Sequence, residues 1–357
     1  MTNFTVVTSI HAPSAAVRSL ARMEEFTLIV VGDKKSPASW ECKDAVFLSA
    51  QRQHRLGYRM LSLLPWNHYG RKMLGYLYAQ ENGATVIYDT DDDNAPKPDW
   101  TVYPFTGPYD VTQPDAGMLN IYSGFTDTHV WPRGFDLRLI NDPRAQVHDE
   151  HLTRRVVKVG VWQGMVDGDP DVDAIYRLTS NKPCVFRERA PIVLDKGTTS
   201  PFNSQNTLIT QDLFPLLYLP CSVTFRFTDI LRGLVAQPIM WLYGYRLGFT
   251  RAMVVQDRNP HDLLQDFQSE IPVYLHAGTV LDIVSGAVSA EHTIAENVCR
   301  AYDALRRQEV VHDSEMAILS AWLEDSAMLH RASPKPVESH WMQAVAGQYP
   351  VGVEVVG

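Results

Sequence analysis

The segment "GATVIYDTDDDNAPKPDW" (83–100) decides the fold, because a predicted buried strand in it ends in a cluster of carboxylates. The strand-forming run is Thr85-Val86-Ile87-Tyr88, and four aspartates follow it within five residues: Asp89, Asp91, Asp92 and Asp93. Like charges this close repel each other unless a cation lies among them. In open α/β sheets, ligands bind just beyond the carboxyl ends of the strands, which is where this cluster is expected to lie.

The sequence on both sides of this segment predicts an α/β fold. Two earlier apolar runs, "FTVVTSI" (4–10) and "FTLIVVGD" (26–33), are separated by the helical pattern "PSAAVRSLARMEE" (13–25). A second helical pattern, "NHYGRKMLGYLYAQENGA" (67–84), leads into the strand above. The first hundred residues therefore predict β-α-β, an irregular stretch, then α-β, in a mostly parallel sheet flanked by helices. From about residue 285 the three-four spacing of apolar residues predicts a helical C-terminal extension.

Composition excludes several classes of protein. The chain has 357 residues and a net charge of −9, which argues against sequence-independent binding of nucleic acid. The four cysteines lack the spacing of a zinc site or a disulfide framework, which favours a reducing compartment. We find neither a signal peptide nor a run of about 18 apolar residues, so we expect no membrane span and a cytoplasmic location.

The aspartate cluster has three interpretations. Its alternating acids begin like an EF-hand calcium loop, but the sixth position is Asn94 instead of Gly and the twelfth is Trp100 instead of Glu. A solvated acidic turn is the second interpretation, since Asp and Asn favour turns. The third is a site for Mg²⁺ or Mn²⁺ with Asp91 and Asp93 as ligands, because hard cations prefer oxygen ligands and often keep positions for substrate phosphates.

Other polar residues are expected at the same edge of the sheet. Arg71 and Lys72 stand near the start of a helix, where a bound diphosphate would account for cations that otherwise oppose the helix dipole. A solvated basic pair is the alternative. The two earlier strands end in small or polar residues that fit a nucleotide: Thr8, Ser9, His11 and Asp33.

These segments together resemble the GT-A class of glycosyltransferases, and more narrowly the STELLO family. The motifs that carry the resemblance are "VVGDKKSP" (30–37), "LLPWNHYGRKMLGYLYAQENGATVIYDTDDDN" (63–94), "WPRGFDL" (131–137), "GDPDVDAIYRLT" (168–179), "FNSQNTLI" (202–209) and "RNPHDLLQDF" (258–267). The resemblance implies a metal-dependent enzyme that moves a sugar from a nucleotide-sugar donor, UDP-linked by preference, to a hydroxyl of a glycan or small-molecule acceptor. It further implies Mn²⁺ or Mg²⁺ at Asp91, Asp93 and His261, donor contact at Asp89, and substrate contact at Asp92 and Asn206.

A more distant similarity leaves two alternatives open. The reversibly glycosylated polypeptides, the UDP-arabinopyranose mutase family, carry three consecutive aspartates that Asp91-Asp92-Asp93 match, and a block resembling "FTDILRG" (227–233). Their downstream histidine has no match in "MVVQDRNPHD" (253–262), so Gln256 or Asp257 could replace His261 as a ligand. The alternatives are therefore a UDP-sugar mutase and a non-catalytic binding protein of the same fold.

Glycosyl transfer with inversion needs a carboxylate base, and Asp229 is the candidate. Its alternative role is as the N-cap of "ILRGL" (230–234). Asp171 and Asp173 are predicted to bind sugar hydroxyls or, alternatively, to form a turn and a helix cap. Trp162 is predicted to stack on a sugar ring, with a place in the core as the alternative.

The predicted domain organisation follows from the resemblance and the helical pattern. Residues 1–275 form a GT-A domain with a nucleotide-binding half (1–100) and an acceptor half (101–275). A helical C-terminal extension (276–335) and a tail (336–357) complete the chain.

Overall fold

The computed structural model describes residues 2–180, 182, 184–256, 262–331 and 354–355. Its strands are β1 (Asn3–Thr8), β2 (Phe26–Val31), β3 (Ala45–Leu48), β4 (Val86–Thr90), β5 (Asn94–Pro96), β6 (Thr106–Val111), β7 (Gly117–Met118), β8 (Thr153–Asp167), β9 (Ile192–Leu194), β10 (Thr198–Thr199), β11 (Asn206–Thr210), β12 (Tyr245–Gln256) and β13 (Glu354–Val355). Its helices are α1 (Ala15–Leu20), α2 (Ala50–Gln53), α3 (Lys72–Glu81), α4 (Ala174–Thr179), α5 (Phe225–Leu242), α6 (Leu263–Ala287), α7 (Ile294–Arg307) and α8 (Glu315–Arg331).

One large sheet organises the molecule, in the order β3-β2-β1-β4-β11-β8-β6-β9-β12-β5. The first four of these strands pair in parallel, as expected for strands joined through helices. Antiparallel pairs begin where β11 meets β4, and the two long strands β8 and β12 run parallel to each other. The predicted α/β fold, with a mostly parallel central sheet, flanking helices and C-terminal helices, is confirmed.

Helix α3 packs closely on the parallel half of the sheet. A Cβ atom at Gly75 would lie 2.6 Å from Val6 and 2.7 Å from Val31, so only glycine allows this approach. Gly83 ends the helical segment with a φ of 78°, as its position after the pattern predicts. The close packing fixes the start of α3 beside the carboxyl ends of β1 and β2.

The local structure differs from the sequence prediction at three points. The irregular stretch contains a fourth parallel strand, β3, which is only four residues long. Strand β4 continues through Asp89 to Thr90, so Asp89 lies inside the sheet. The helical pattern from residue 67 does not begin as an α-helix: a 3₁₀ turn (Tyr69–Arg71) precedes α3, and its cap is His68, whose Nδ1 accepts the Gly70 N–H at 3.0 Å.

The C-terminal helices pack against the same core. Thr293 and Glu296 form a capping box at the start of α7. Helix α6 runs without interruption through residue 275, and the predicted division into domains stays a prediction. Among the described helices, none is both long enough and apolar enough to cross a bilayer.

Candidate active site

A cleft of about 360 Å³ opens at the carboxyl ends of β1, β2 and β4, beside the first turns of α5. It brings together most of the residues that the sequence nominated: Thr8, Ser9, His11, Asp33, Arg71, Asp91, Asp92, Asp93, Asp171 and Asp229. Others in its lining were not nominated, among them Tyr69, Arg133, Gln205, Phe225 and Arg226. Most residues that the sequence predicted at this edge of the sheet therefore line one cleft.

The acidic loop, which we define as residues 91–93, forms one wall of the cleft. The Asp91 side chain is 33% exposed, and its Oδ1 accepts hydrogen bonds from the Tyr69 hydroxyl at 3.2 Å and the Lys72 ammonium at 3.3 Å. The pKa of Asp91 is raised to about 7, mainly by burial and also by neighbouring carboxylates, against the opposing charge of Lys72. A second cation in the cleft would relieve this unfavourable environment.

Neighbouring segments hold the rest of the acidic loop in place. The Asp92 carboxylate accepts the Ser9 hydroxyl at 2.6 Å, and the Asp92 carbonyl accepts the Ser14 hydroxyl at 2.5 Å. The Asp93 carboxylate accepts the Gln256 amide at 2.9 Å. The loop is thus attached both to the end of β1 and to the end of β12.

A buried ion-pair network lies behind the acidic loop. Asp89 accepts Lys72 at 2.6 Å on one oxygen and Arg232 at 2.8 Å on the other, and all three side chains are almost completely buried. Neither Asp89 nor Lys72 lines the cleft. The predicted contacts of Lys72 with a bound diphosphate and of Asp89 with the donor are therefore corrected: Asp89 pairs with Lys72 and Arg232 inside the protein.

Arg71 differs from its neighbour Lys72. It lines the cleft although only 1% of the residue is exposed, and its guanidinium donates to the neutral Gln53 amide oxygen at 3.0 Å and stacks on Trp66 at 3.5 Å. Within the described part of the chain, Arg71 has no ion-pair partner. Burial lowers its pKa against the weaker effect of Asp33, as expected for a cation that lacks a close anion.

The residues predicted to contact a nucleotide surround the ends of β1 and β2. Asp33 is held by two backbone N–H groups, from Lys34 at 2.7 Å and from His68 at 3.2 Å. Ser9 is held by Asp92, as described above, and Thr8 and His11 line the same part of the cleft.

The opposite wall, which we define as Arg133, Asp171 and Asp229, faces the acidic loop. Arg133 forms a two-pronged pair with Asp171 at 2.9 and 2.8 Å and contacts both Asp229 oxygens at 3.2 and 3.3 Å. Burial by itself would raise the pKa of Asp171, but the ion pair with Arg133 lowers it to about 2. This wall therefore contains its own cation.

Asp229 lies in the fifth position of α5, not at its N-terminus. The N-cap is Thr224, so the alternative role of Asp229 as a cap is wrong. Its Oδ2 accepts the Ser204 N–H at 3.2 Å. The side chain is 11% exposed, and this exposed part faces the cleft.

Besides Lys72 and Asp89, three more nominated residues lie outside the cleft lining: Trp162, Asp173 and Asn206. Trp162 is 1% exposed and packs on Tyr103 and Tyr109, so it occupies a core position. Asp173 caps α4 by accepting the Tyr176 N–H at 2.8 Å, and burial raises its pKa to about 6. Asn206 accepts the Tyr88 hydroxyl at 3.0 Å inside the sheet. The alternative, structural roles of Trp162 and Asp173 agree with these positions, and the predicted substrate contact of Asn206 is corrected because this residue lies inside the sheet.

The predicted metal ligands are only partly described. Asp91 and Asp93 line the cleft, whereas His261 and its possible substitute Asp257 lie outside the described residues. Gln256 lines the cleft next to Asp93. Among the described residues, no group of three or more His, Cys, Asp or Glu side chains is arranged to hold a metal ion.

The residues that the sequence did not nominate have little local signal. Tyr69 is one residue of the helical pattern 67–84 without a distinguishing neighbour, yet its hydroxyl contacts Asp91. Arg133 occurs in "WPRGFDL" (131–137), but the acidic residue of this segment, Asp136, pairs with Arg138 instead. Its partners are 38 and 96 residues away, so no spacing rule could have found them.

The sheet, its flanking helices and the position of the cleft define a GT-A-like α/β protein. Comparisons with known proteins narrow this class. A family model described as "STELLO glycosyltransferases" matches residues 226–348. Two similar proteins from Arabidopsis thaliana, "Probable glycosyltransferase STELLO1" and "Probable glycosyltransferase STELLO2", are each 28% identical over 92% of this chain. These matches confirm the resemblance to the STELLO family.

The extent of these matches differs between the two comparisons. The matched family segment begins in the first turn of α5, so it contains Asp229 and Arg232 but not the acidic loop. The chain spans about half, 45%, of the length of each Arabidopsis relative.

Proposed function

We propose that this chain is a glycosyltransferase that moves a sugar from a UDP-sugar to a hydroxyl group of a glycan or a small molecule. The observation that carries the proposal is the composition of one cleft. Three charged residues line the same space. Asp91 is a carboxylate with a raised pKa, and Arg71 is a cation without an ion-pair partner in the described chain. Asp229 is a carboxylate that faces the cleft from the other side. The STELLO resemblance supports the same class of reaction.

We further propose that Asp91 and Asp93 hold Mn²⁺ or Mg²⁺. Two carboxylates suffice, because such ions are commonly bound by one or two carboxylates together with substrate phosphates and water. The donor set fits, since Asp91 lies in an environment that disfavours its ionised form until a cation is added. When bound, the ion supplies charge stabilisation for the leaving diphosphate.

Residues of this chain would bind the diphosphate and the nucleoside of the donor. Arg71 is the proposed partner of the diphosphate, because its guanidinium contacts only neutral acceptors among the described residues. Thr8, Ser9, His11 and Asp33 are the proposed contacts of the nucleoside at the ends of β1 and β2.

Asp229 is the proposed general base on the acceptor side. The acceptor oxygen forms a bond to the anomeric carbon, the bond from that carbon to the diphosphate breaks, and the hydroxyl proton passes to Asp229. This arrangement favours inversion, because base and leaving group lie on opposite walls of the cleft. The cytoplasmic location inferred from the sequence stays a prediction.

Binding of UDP tests the donor side directly. We expect wild-type protein to bind UDP with Mn²⁺ present, and Asp91→Ala to lose the Mn²⁺-dependent part of the affinity, because one of two proposed ligands is gone. Isothermal titration calorimetry with and without Mn²⁺ measures this. Asp110→Ala is the matched control, since Asp110 is 30% exposed and ion-paired to Arg154 away from the cleft. Equal UDP affinity in Asp91→Ala and wild type would contradict the metal assignment.

Incubation with a panel of UDP-sugars, Mn²⁺ and candidate acceptors tests the reaction. UDP release that requires an acceptor would support transfer. Interconversion of sugar ring forms without an acceptor would support the mutase alternative, and UDP binding without any turnover would support a binding protein.

A further inference from the structure

Arg133 joins three separate segments at the opposite wall. Arg133 itself lies in a loop, two residues after Trp131. Asp171 lies in the loop before α4, and Asp229 lies in the second turn of α5. The Arg133 side chain is 6% exposed, and it also donates to the Arg226 backbone carbonyl. A single guanidinium therefore contacts all three segments.

The two carboxylates bind Arg133 unequally. Asp171 accepts the Nε and Nη2 groups at 2.9 and 2.8 Å in the fork geometry that is strongest for arginine, and it also accepts the Asn203 amide at 2.6 Å. Asp229 is contacted at the longer distances of 3.2 and 3.3 Å. Asp171 thus neutralises most of the Arg133 charge, and Asp229 is the more weakly held carboxylate.

We propose that Arg133 is a positioning residue that orients the Asp229 carboxylate, and that Asp171 balances the charge of Arg133 so that Asp229 keeps its capacity to accept a proton. The inference rests on the proposed function, in which Asp229 is the base. It assigns Asp171 a new role, since Asp171 acts through Arg133 and not by binding a sugar hydroxyl.

The orientation argument depends on contacts to both carboxylate oxygens. Nη1 of Arg133 and the Ile230 N–H reach Oδ1, and Nη2 of Arg133 and the Ser204 N–H reach Oδ2. Without Arg133, the backbone N–H groups of Ser204 and Ile230 still contact the Asp229 carboxylate. The two hydrogen bonds from the Arg133 guanidinium, which hold the plane of this carboxylate, are lost. A proton acceptor displaced by about 1 Å lowers turnover by about 100-fold.

Chemical rescue tests this role. We expect Arg133→Ala to lower kcat about 100-fold with unchanged donor KM, and methylguanidinium at sub-denaturing concentration to restore much of the lost turnover by filling the gap between Asp171 and Asp229. The matched control is Arg246→Ala, which removes an arginine that is 2% exposed and paired to Asp195 at 2.9 Å away from the cleft. Its activity should not respond to methylguanidinium. If Arg133→Ala does not fold, Arg133→Lys is tested instead, with Arg246→Lys as its control. We then expect kcat to fall in Arg133→Lys and not in Arg246→Lys.

The outcomes separate this inference from the proposed function. A wild-type protein that transfers no sugar from any donor of the panel would overturn both. An active wild type, together with Arg133→Ala that keeps its kcat or that loses kcat without rescue, would overturn the inference alone.

Discussion

The two walls of the cleft both present aspartates, but they differ in where the cations lie relative to the carboxylates. In the acidic loop the cations lie behind the carboxylates: Arg232 contacts Asp89, and Lys72 lies 2.6 Å from Asp89 and 3.3 Å from Asp91. In the opposite wall a cation lies between the carboxylates, where Arg133 contacts Asp171 and Asp229. The pKa of Asp91 is therefore raised to about 7, whereas that of Asp171 is lowered to about 2.

This difference shows that a count of acidic residues does not identify a cation site. A carboxylate whose charge is already balanced by the protein gains little from a further cation, whereas one that is desolvated without a full partner gains much. By this criterion the acidic loop is the side that favours an external cation, whereas in the opposite wall Asp171 already has a close partner in Arg133. Each prediction below tests one side of that comparison.

The largest expected effect concerns Asp229. Loss of a general base lowers turnover by about 10²- to 10⁴-fold, so Asp229→Asn should retain UDP binding and lose transfer to that extent. Steady-state kinetics with the best donor and acceptor, together with UDP titration, measure both quantities. Full turnover in Asp229→Asn would remove its proposed role. A melting curve for this variant checks that the loss is not due to unfolding.

The next effect is on stability at the opposite wall. Asp171→Asn should lower the free energy of unfolding at pH 7 by about 3 kcal/mol, because it breaks a buried ion pair and leaves Arg133 with the weaker partner alone. Since the folded pKa of Asp171 is depressed, its contribution is present above about pH 4 and is lost as the pH falls towards 2. Urea unfolding at pH 7 and pH 3 should therefore show a smaller difference from wild type at the lower pH. An Asp171→Asn protein as stable as wild type at pH 7 would contradict the stabilising ion pair between Asp171 and Arg133.

The smallest expected effect is a gain in stability on substitution of Asp91, opposite in sign to the effect of Asp171→Asn. Without metal at pH 8, Asp91→Asn should raise the free energy of unfolding by about 1 to 2 kcal/mol, a value reduced from the full linkage estimate because a third of the side chain is exposed. The folded pKa is raised, so the folded state binds the proton more tightly and wild-type stability falls as the pH rises from about 4 to 7. The gain should shrink as the pH is lowered through 7.

Urea unfolding in a chelator measures this gain, with Asp110→Asn as the control for loss of an aspartate of similar exposure. Addition of Mn²⁺ should then stabilise wild type but not Asp91→Asn. A destabilised Asp91→Asn at pH 8 would show that the protein itself already balances the charge of Asp91, as it does for Asp171.

Much of the parallel half of the fold was predictable from the sequence. Strands β1, β2 and β4 are continuous apolar runs with helical patterns between them, and such runs are typical of strands buried on both faces. The second half was less predictable, because β8 and β12 are long strands whose neighbours come from distant parts of the chain. Strand β3 was missed because four residues are too few to show a period.

The candidate site was predicted in part for similar reasons. The position of the acidic cluster followed from the end of an apolar run, which is a local property. The different roles of Asp89 and Asp91 depend on where β4 ends and on a partner in α5, 143 residues away. Trp162 was nominated for its residue type alone, and its burial at 1% exposure follows from strand pairings that the local pattern does not specify.

The buried Asp89 has a mechanical consequence as well as an electrostatic one. It links Lys72 at the start of α3 to Arg232 in α5, and so connects the proposed donor side to the proposed acceptor side through the interior. The gap between the two walls is thus preorganised before any ligand arrives. Ligand binding then has to order side chains at the surface of the cleft instead of closing one half of the molecule onto the other, which reduces the entropic penalty of assembling the reactive geometry.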